Sequence, residues 1–111
     1  MATYLTKELT AVTGLTATAA TLYTVPASTT TTVKTILLSN YTSTDRSVTL
    51  HLVPSGGSAA AGNKILGEVT VTANTTTTID TAIVMPTGAF LSGLASATTS
   101  INVHISGVEI S

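Results

Sequence analysis

The sequence predicts an all-β protein: a single antiparallel β-sandwich, jelly-roll-like, of about seven or eight strands. Three observations lead there. Val25-Pro-Ala-Ser-Thr-Thr-Thr-Thr-Val33-Lys34-Thr35 recurs 46 residues later as Val71-Thr-Ala-Asn-Thr-Thr-Thr-Thr-Ile79-Asp80-Thr81. Each copy has a turn former, Ser28 or Asn74, then four threonines and a β-branched apolar residue; such a run loses side-chain freedom in a helix but fits a pleated strand. Ser47–Leu52 and Ile101–Ser106 alternate strictly between polar and apolar residues, the period of a half-buried strand. Turn residues punctuate the chain every 8–12 residues or so, the rhythm of a sandwich or small barrel. No segment carries a 3.6-residue period, and Ala59-Ala60-Ala61, with glycines close on both sides, is too short to hold a helix. With 111 residues there is room for one domain.

Taken in order, residues 1–15 read as an N-terminal edge strand or an extended arm, with Gly14 as a break; residues 16–111 form the sandwich. Tyr4, Leu5, Leu9 and Val12 make the first segment more apolar than a free tail needs. Thr21–Val25 is a half-buried strand ended by Pro26. Thr31–Leu38 is a longer one closed by Ser39-Asn40, and Tyr41–Arg46 is a polar turn with a local Asp45–Arg46 ion pair. In Ser47–Leu52, Val48, Leu50 and Leu52 share one face and His51 takes the other. Pro54–Asn63 is a small-residue loop suited to touching a partner. Ile65–Thr72 and Thr76–Val84 follow, the latter stopped by Met85-Pro86-Thr87-Gly88. Phe90–Leu94 is short and broken by Gly93, and Ile101–Ile110 completes the set. The twin threonine runs are expected at equivalent strand starts, one in each sheet.

Charged residues are 8% of the chain, against roughly 25% in ordinary globular proteins. Threonine occupies 26 positions, so hydroxyls replace the usual Lys/Glu surface and little charge opposes association. Four scattered basic residues and a net charge of −1 argue against nucleic acid or an anionic membrane as partner. No apolar run reaches membrane-span length, and the N-terminus lacks a secretory layout. Without cysteine there is no disulfide or thiolate chemistry.

Catalytic groups are scarce. His51 and His104 are both expected to face solvent or a partner, and a zinc site needs three or four ligands at recognisable spacing; Glu109 has the wrong parity to join His104. The five acids are isolated from one another, whereas acid–base work needs two in one cleft. Ser55-Gly-Gly-Ser58 lacks the strand-to-helix turn of a nucleophile elbow, and Gly56-Gly57 is not followed by a phosphate-binding helix. The expectation is a non-enzymatic protein with no catalytic residue, cofactor or metal. Of the four aromatic residues, Tyr41 is the best placed for an exposed contact.

The segments Leu22-Tyr-Thr-Val-Pro-Ala27, Val33-Lys-Thr-Ile36 with Asn40, Val48-Thr-Leu-His-Leu-Val-Pro-Ser-Gly-Gly57 and Val103-His-Ile-Ser-Gly-Val-Glu109 together resemble small β-sandwich virion structural proteins of tailed bacteriophages. The resemblance spans roughly Leu22 to Glu109 and rests on cadence rather than a fixed motif. It implies capsid decoration (cement), neck or tail components, or fibre modules, with no active residue to carry over. The resulting expectation is a decoration protein that staples neighbouring subunits in virions assembled in the bacterial cytoplasm. Its partners are the major capsid protein or other virion proteins, and it acts as a homo-oligomer, a trimer being favoured. Contacts are expected through Tyr4, Leu5 and Leu9 of the N-terminal segment, Pro54, Gly56 and Gly57 of the long loop, and the tips near Tyr41 and Phe90. The alternative is a neck, tail or fibre component, including a host-surface glycan-binding module.

Overall fold

The computed structural model describes residues 3–111; Met1 and Ala2, at the head of the predicted 1–15 segment, lie outside the described residues. The described residues form eight strands: β1 Tyr4–Gly14, β2 Ala20–Thr24, β3 Thr30–Asn40, β4 Arg46–Val53, β5 Lys64–Val71, β6 Thr76–Met85, β7 Phe90–Ala95 and β8 Ile101–Ile110. A single 3-10 turn, Ala61–Asn63, precedes β5. Two four-stranded antiparallel sheets pack together, in the orders β1-β8-β3-β6 (sheet 1) and β2-β7-β4-β5 (sheet 2). Only β4 and β5 are consecutive strands within one sheet; every other connection crosses between sheets, which is the jelly-roll winding.

The core follows from strand parity. Val33, Ile36 and Leu38 of β3 and Ile101, Val103 and Ile105 of β8 point from sheet 1 towards Val48 and Leu50 of β4 and Leu91 of β7, all buried. Burying a side chain of this size stabilises the fold by about 2 kcal/mol. Met85, read from sequence as part of a stop, is instead the buried last residue of β6.

Of the two readings of the first segment, edge strand or arm, the structure shows the edge strand. Its residues Tyr4–Gly14 pair with β8 throughout, with register shifts at Glu8/Thr10 and Thr10/Thr13, and Thr3 and Ser111 exchange two backbone hydrogen bonds. Leu9 and, just beyond the strand, Leu15 are buried in the core, whereas Tyr4, Leu5 and Val12, the other apolar residues of the segment, stay exposed.

The threonine runs do begin strands at matching offsets. Ser28 (φ 55°) and Asn74 (φ 57°) hold the left-handed turn position, and β3 and β6 start two residues later at Thr30 and Thr76. Both runs, however, lie in sheet 1, on neighbouring antiparallel strands, with Ser39 opposite Thr76 and Thr31 opposite Met85. The expectation of one run per sheet fails because the repeat records a turn-to-strand transition, which does not specify which layer receives the strand.

Gly93 does not break its strand. β7 runs unbroken through it, with Ala20 opposite on one side and Leu50 on the other. A Cβ there would lie 2.5 Å from Leu50 Cδ2 and 2.9 Å from Leu22 Cδ1, so the missing side chain makes room for two leucines. Asn40, the predicted closure of β3, is buried and fully bonded: its amide donates to the carbonyls of Thr44 and Val71, and its Oδ1 accepts from the N–H and hydroxyl of Thr42.

Candidate contact surfaces

Both histidines, three of the acids, Lys7 and Tyr23 are tied to one another or to polar groups nearby. His51 is buried rather than outward. It does occupy the outer face of sheet 2, but the second half of the Pro54–Asn63 loop folds down over that face. His51 Nδ1 lies 3.1 Å from the carbonyl oxygen of Ala60 and 3.2 Å from Asn63 Oδ1. Both are acceptors, so Nδ1 carries the proton. Asn63 also accepts from the Ala60 N–H and donates to the Ser58 carbonyl, giving the loop a fixed shape that its composition did not signal. His104 is half-buried on the outer face of sheet 1, with Nε2 2.9 Å from Glu8 Oε2 on β1. Asp45 makes no local pair with Arg46; its Oδ1 accepts the N–H of Ala73, tethering the β5–β6 turn. Among the described residues, no three His, Asp or Glu side chains gather to hold a metal ion, and no helix is long and apolar enough to cross a membrane.

Sequence reasoning missed a polar network between the sheets. The hydroxyl of buried Tyr23 on β2 donates to Glu109 Oε2 on β8 at 2.5 Å and lies 2.8 Å from Thr31 Oγ1 on β3. Lys7 Nζ on β1 sits 3.4 Å from Glu109 Oε1. The signal was present in the parity of β8, which places Glu109 on the same face as Ile101, Val103 and Ile105. Burial, then the hydrogen bond and charge of Glu109, push the Tyr23 hydroxyl up from 10.0 to about 12. Because the folded state holds the proton more tightly than the unfolded chain, the resulting stability is complete below pH 10 and is lost as pH rises through 12. Tyr23→Phe should therefore flatten the fall in thermal midpoint between pH 10 and 12; an unchanged alkaline limb would show that another group controls it.

Strand direction sorts the predicted contact residues into two ends. Tyr4 and Leu5, both exposed, stand where β1 begins, beside the end of β8. The exposed Pro54, Gly56 and Gly57 and the half-buried Phe90 lie at that same end, where β4 finishes and β7 starts. The loop's first turn is closed by Gly57 N–H to the Pro54 carbonyl. Tyr41, 48% exposed, sits alone at the opposite end, in the β3–β4 loop. The molecule measures 49 × 26 × 18 Å, so these two sets are separated along its length. Leu9 belongs to neither set, being inside.

One broad surface was not anticipated. Sheet 2 has its outer face partly covered by its own loop, whereas the outer face of sheet 1 is open. A shallow depression of about 290 Å³ lies there, lined by Val12, Leu37, Ser39, Thr76, Asn102 and His104 among others. Val12 and Val84 are among the largest exposed apolar side chains of the molecule. Alternation in β3, β6 and β8 foretold these outward rows, but nothing local showed that one sheet would be covered and the other left bare.

No protein-family model matches the chain, and no curated protein matches it. Among solved structures, the chain is similar to a chain of the infectious bursal disease virus structure, Gx strain, with a TM-score of 0.57 at 13% identity. The match covers 98% of this chain and 32% of that one, so this chain spans about a third of the viral chain's length. At this identity the likeness is one of fold.

Proposed function

We propose that this chain is a non-enzymatic structural protein of a tailed-bacteriophage virion, acting as a capsid decoration protein that bridges neighbouring subunits. The observation that carries the reading is the eight-stranded jelly roll itself, which matches a chain from a virus particle along almost its whole length. The sequence resemblance to phage β-sandwich proteins supports it. So does the chemistry: the histidines and acids described above hold sheets and loops together, and a surface with few charges favours close protein contact. The body is long, with exposed apolar side chains at both ends: Tyr4 and Leu5 at one, Tyr41 at the other. Such a body bridges two neighbours by burying one tip on each, with the major capsid protein as partner and the virion as location.

The test is the number of copies in purified particles, measured by quantitative mass spectrometry. Hundreds of copies are expected for decoration; about 6 or 12, following closed ring symmetry, would move the protein to the neck or tail. Absence from particles would overturn the reading. Specific glycan binding that Tyr41→Ala abolishes would replace it with a host-surface module.

A further inference from the structure

Both sheets of a sandwich end in strands whose outer backbone groups lack partners, and such edges are normally blunted by bulges, charges or shortness. Three of the four edges here are blunted. β2 has only five residues. β1 has two register shifts and carries Lys7 and Glu8. β5 has two register shifts, carries Lys64 and Glu68, and Glu68 adopts φ 48°. The fourth edge, β6, differs in its first half. From Thr76 to Asp80 it pairs with β3 in unbroken register, Ser39 opposite Thr76 through Thr35 opposite Asp80, and the extra residue comes only beyond Asp80.

The backbone on this stretch has a definite orientation. Asn40 N–H donates to the Thr75 carbonyl. Alternate residues of an antiparallel ladder turn both their groups the same way, so Thr77 and Ile79 spend theirs on β3. Thr76, Thr78 and Asp80 therefore present N–H and C=O to the free edge, and their side chains stand exposed on the outer face of sheet 1. On the inner face, Thr77, Ile79, Thr81 and Ile83 are only half-buried, unlike the fully buried row of β3 beside them. The sandwich is incompletely closed along this edge.

We infer that the Thr76–Asp80 edge pairs antiparallel with the same edge of a second copy, about a twofold axis at Thr78, joining two copies of sheet 1 into one continuous sheet. A twofold contact must be self-complementary, and charge selects the register. Centred on Asp80, pairing would set two carboxylates face to face. Centred on Thr78, it sets Thr78 opposite its own copy and Thr76 opposite Asp80, pairs in which a hydroxyl meets an oxygen acceptor. On the inner face the same register brings Thr77 against Ile79 of the other copy, covering the half-buried isoleucine. The threonine run thus supplies an uncharged, β-branched edge whose hydroxyls make the pairing self-complementary.

This inference rests on the structural-protein reading for its biological sense, but its test does not depend on particles. Sedimentation velocity of the full chain, from about 5 µM to 1 mM, should show a reversible monomer–dimer equilibrium; a contact smaller than the usual 800 Å² or so per partner implies weak association. Thr78→Asp, which sets like charges in opposition, should weaken dimerisation by at least about tenfold. Thr76→Lys, which creates two Lys–Asp80 pairs across the axis, should tighten it about fivefold. Thr78→Pro removes an N–H that serves no partner within the chain, so it should abolish dimerisation with the circular dichroism spectrum retained; if it unfolds, the two charge variants decide. A monomer at every concentration, a trimer, or dimerisation indifferent to Thr78→Asp and Thr76→Lys would overturn the inference. Particle copy number would stand or fall separately.

Discussion

Gly107→Val should unfold most of the protein at room temperature, and Gly107→Ala should cost about 3 kcal/mol in urea denaturation. Gly107 lies on the inward row of β8, between Lys7 of β1 and Val33 of β3. A Cβ at this position would run into the backbone carbonyl of Thr32 and come 3.0 Å from Leu9 Cδ1. The leucine tip can move, but the carbonyl belongs to the β3 register and cannot retreat without spreading the centre of sheet 1. Against a total stability of about 5–15 kcal/mol, the alanine variant leaves a weakened fold and the valine variant little. An alanine variant within 0.5 kcal/mol or so of wild type would show that β8 and β3 separate easily here.

The second large effect concerns Leu50 and Gly93, which face each other across β4 and β7. Leu50→Ala should cost about 3 kcal/mol, because it removes a fully buried side chain and leaves a cavity. Gly93→Ala should cost about 2 kcal/mol by overpacking, since its methyl would come within 2.5 Å of Leu50 Cδ2. Combined, the two changes relieve each other in part: the alanine methyl enters the space the leucine vacated. The double variant should therefore be at least about 1 kcal/mol more stable than the sum of the single effects predicts, a coupling expected of side chains in contact. Strict additivity would mean that Leu22, the other neighbour of the Gly93 position, controls the site.

Much of the fold was legible because its signals are local. Alternation at Val48, Leu50 and at Ile101, Val103, Ile105 identified the core rows, and Ser28 and Asn74 marked where β3 and β6 begin. What failed was non-local. Nothing within Tyr4–Gly14 states that it will find β8 at the far end of the chain, so its apolar residues read equally well as an arm. His51 obeyed the alternation that put it on the outer face, and was buried by a loop whose Ser, Gly and Ala residues announce no destination. Glu109 was assigned the correct parity, but its partners Tyr23, Thr31 and Lys7 come from three other strands. The contact residues divide in the same way: exposure of Tyr4 and Tyr41 follows from strand ends and turns, while the open outer face of sheet 1 depends on where another loop comes to rest.

The place of β8 governs how the chain reaches this structure. The last strand in sequence lies between β1 and β3, so sheet 1 is split until Ile101–Ile110 has been synthesised and inserted. Before that moment β3 exposes a long ladder of unpaired backbone on the side away from β6, and β1 has no strand to pair with in its sheet. Contacts this distant along the chain place folding in the millisecond-to-second range, and an emerging chain carries open strand edges during that interval. Ile101–Ile110 must leave the ribosome before sheet 1 can close.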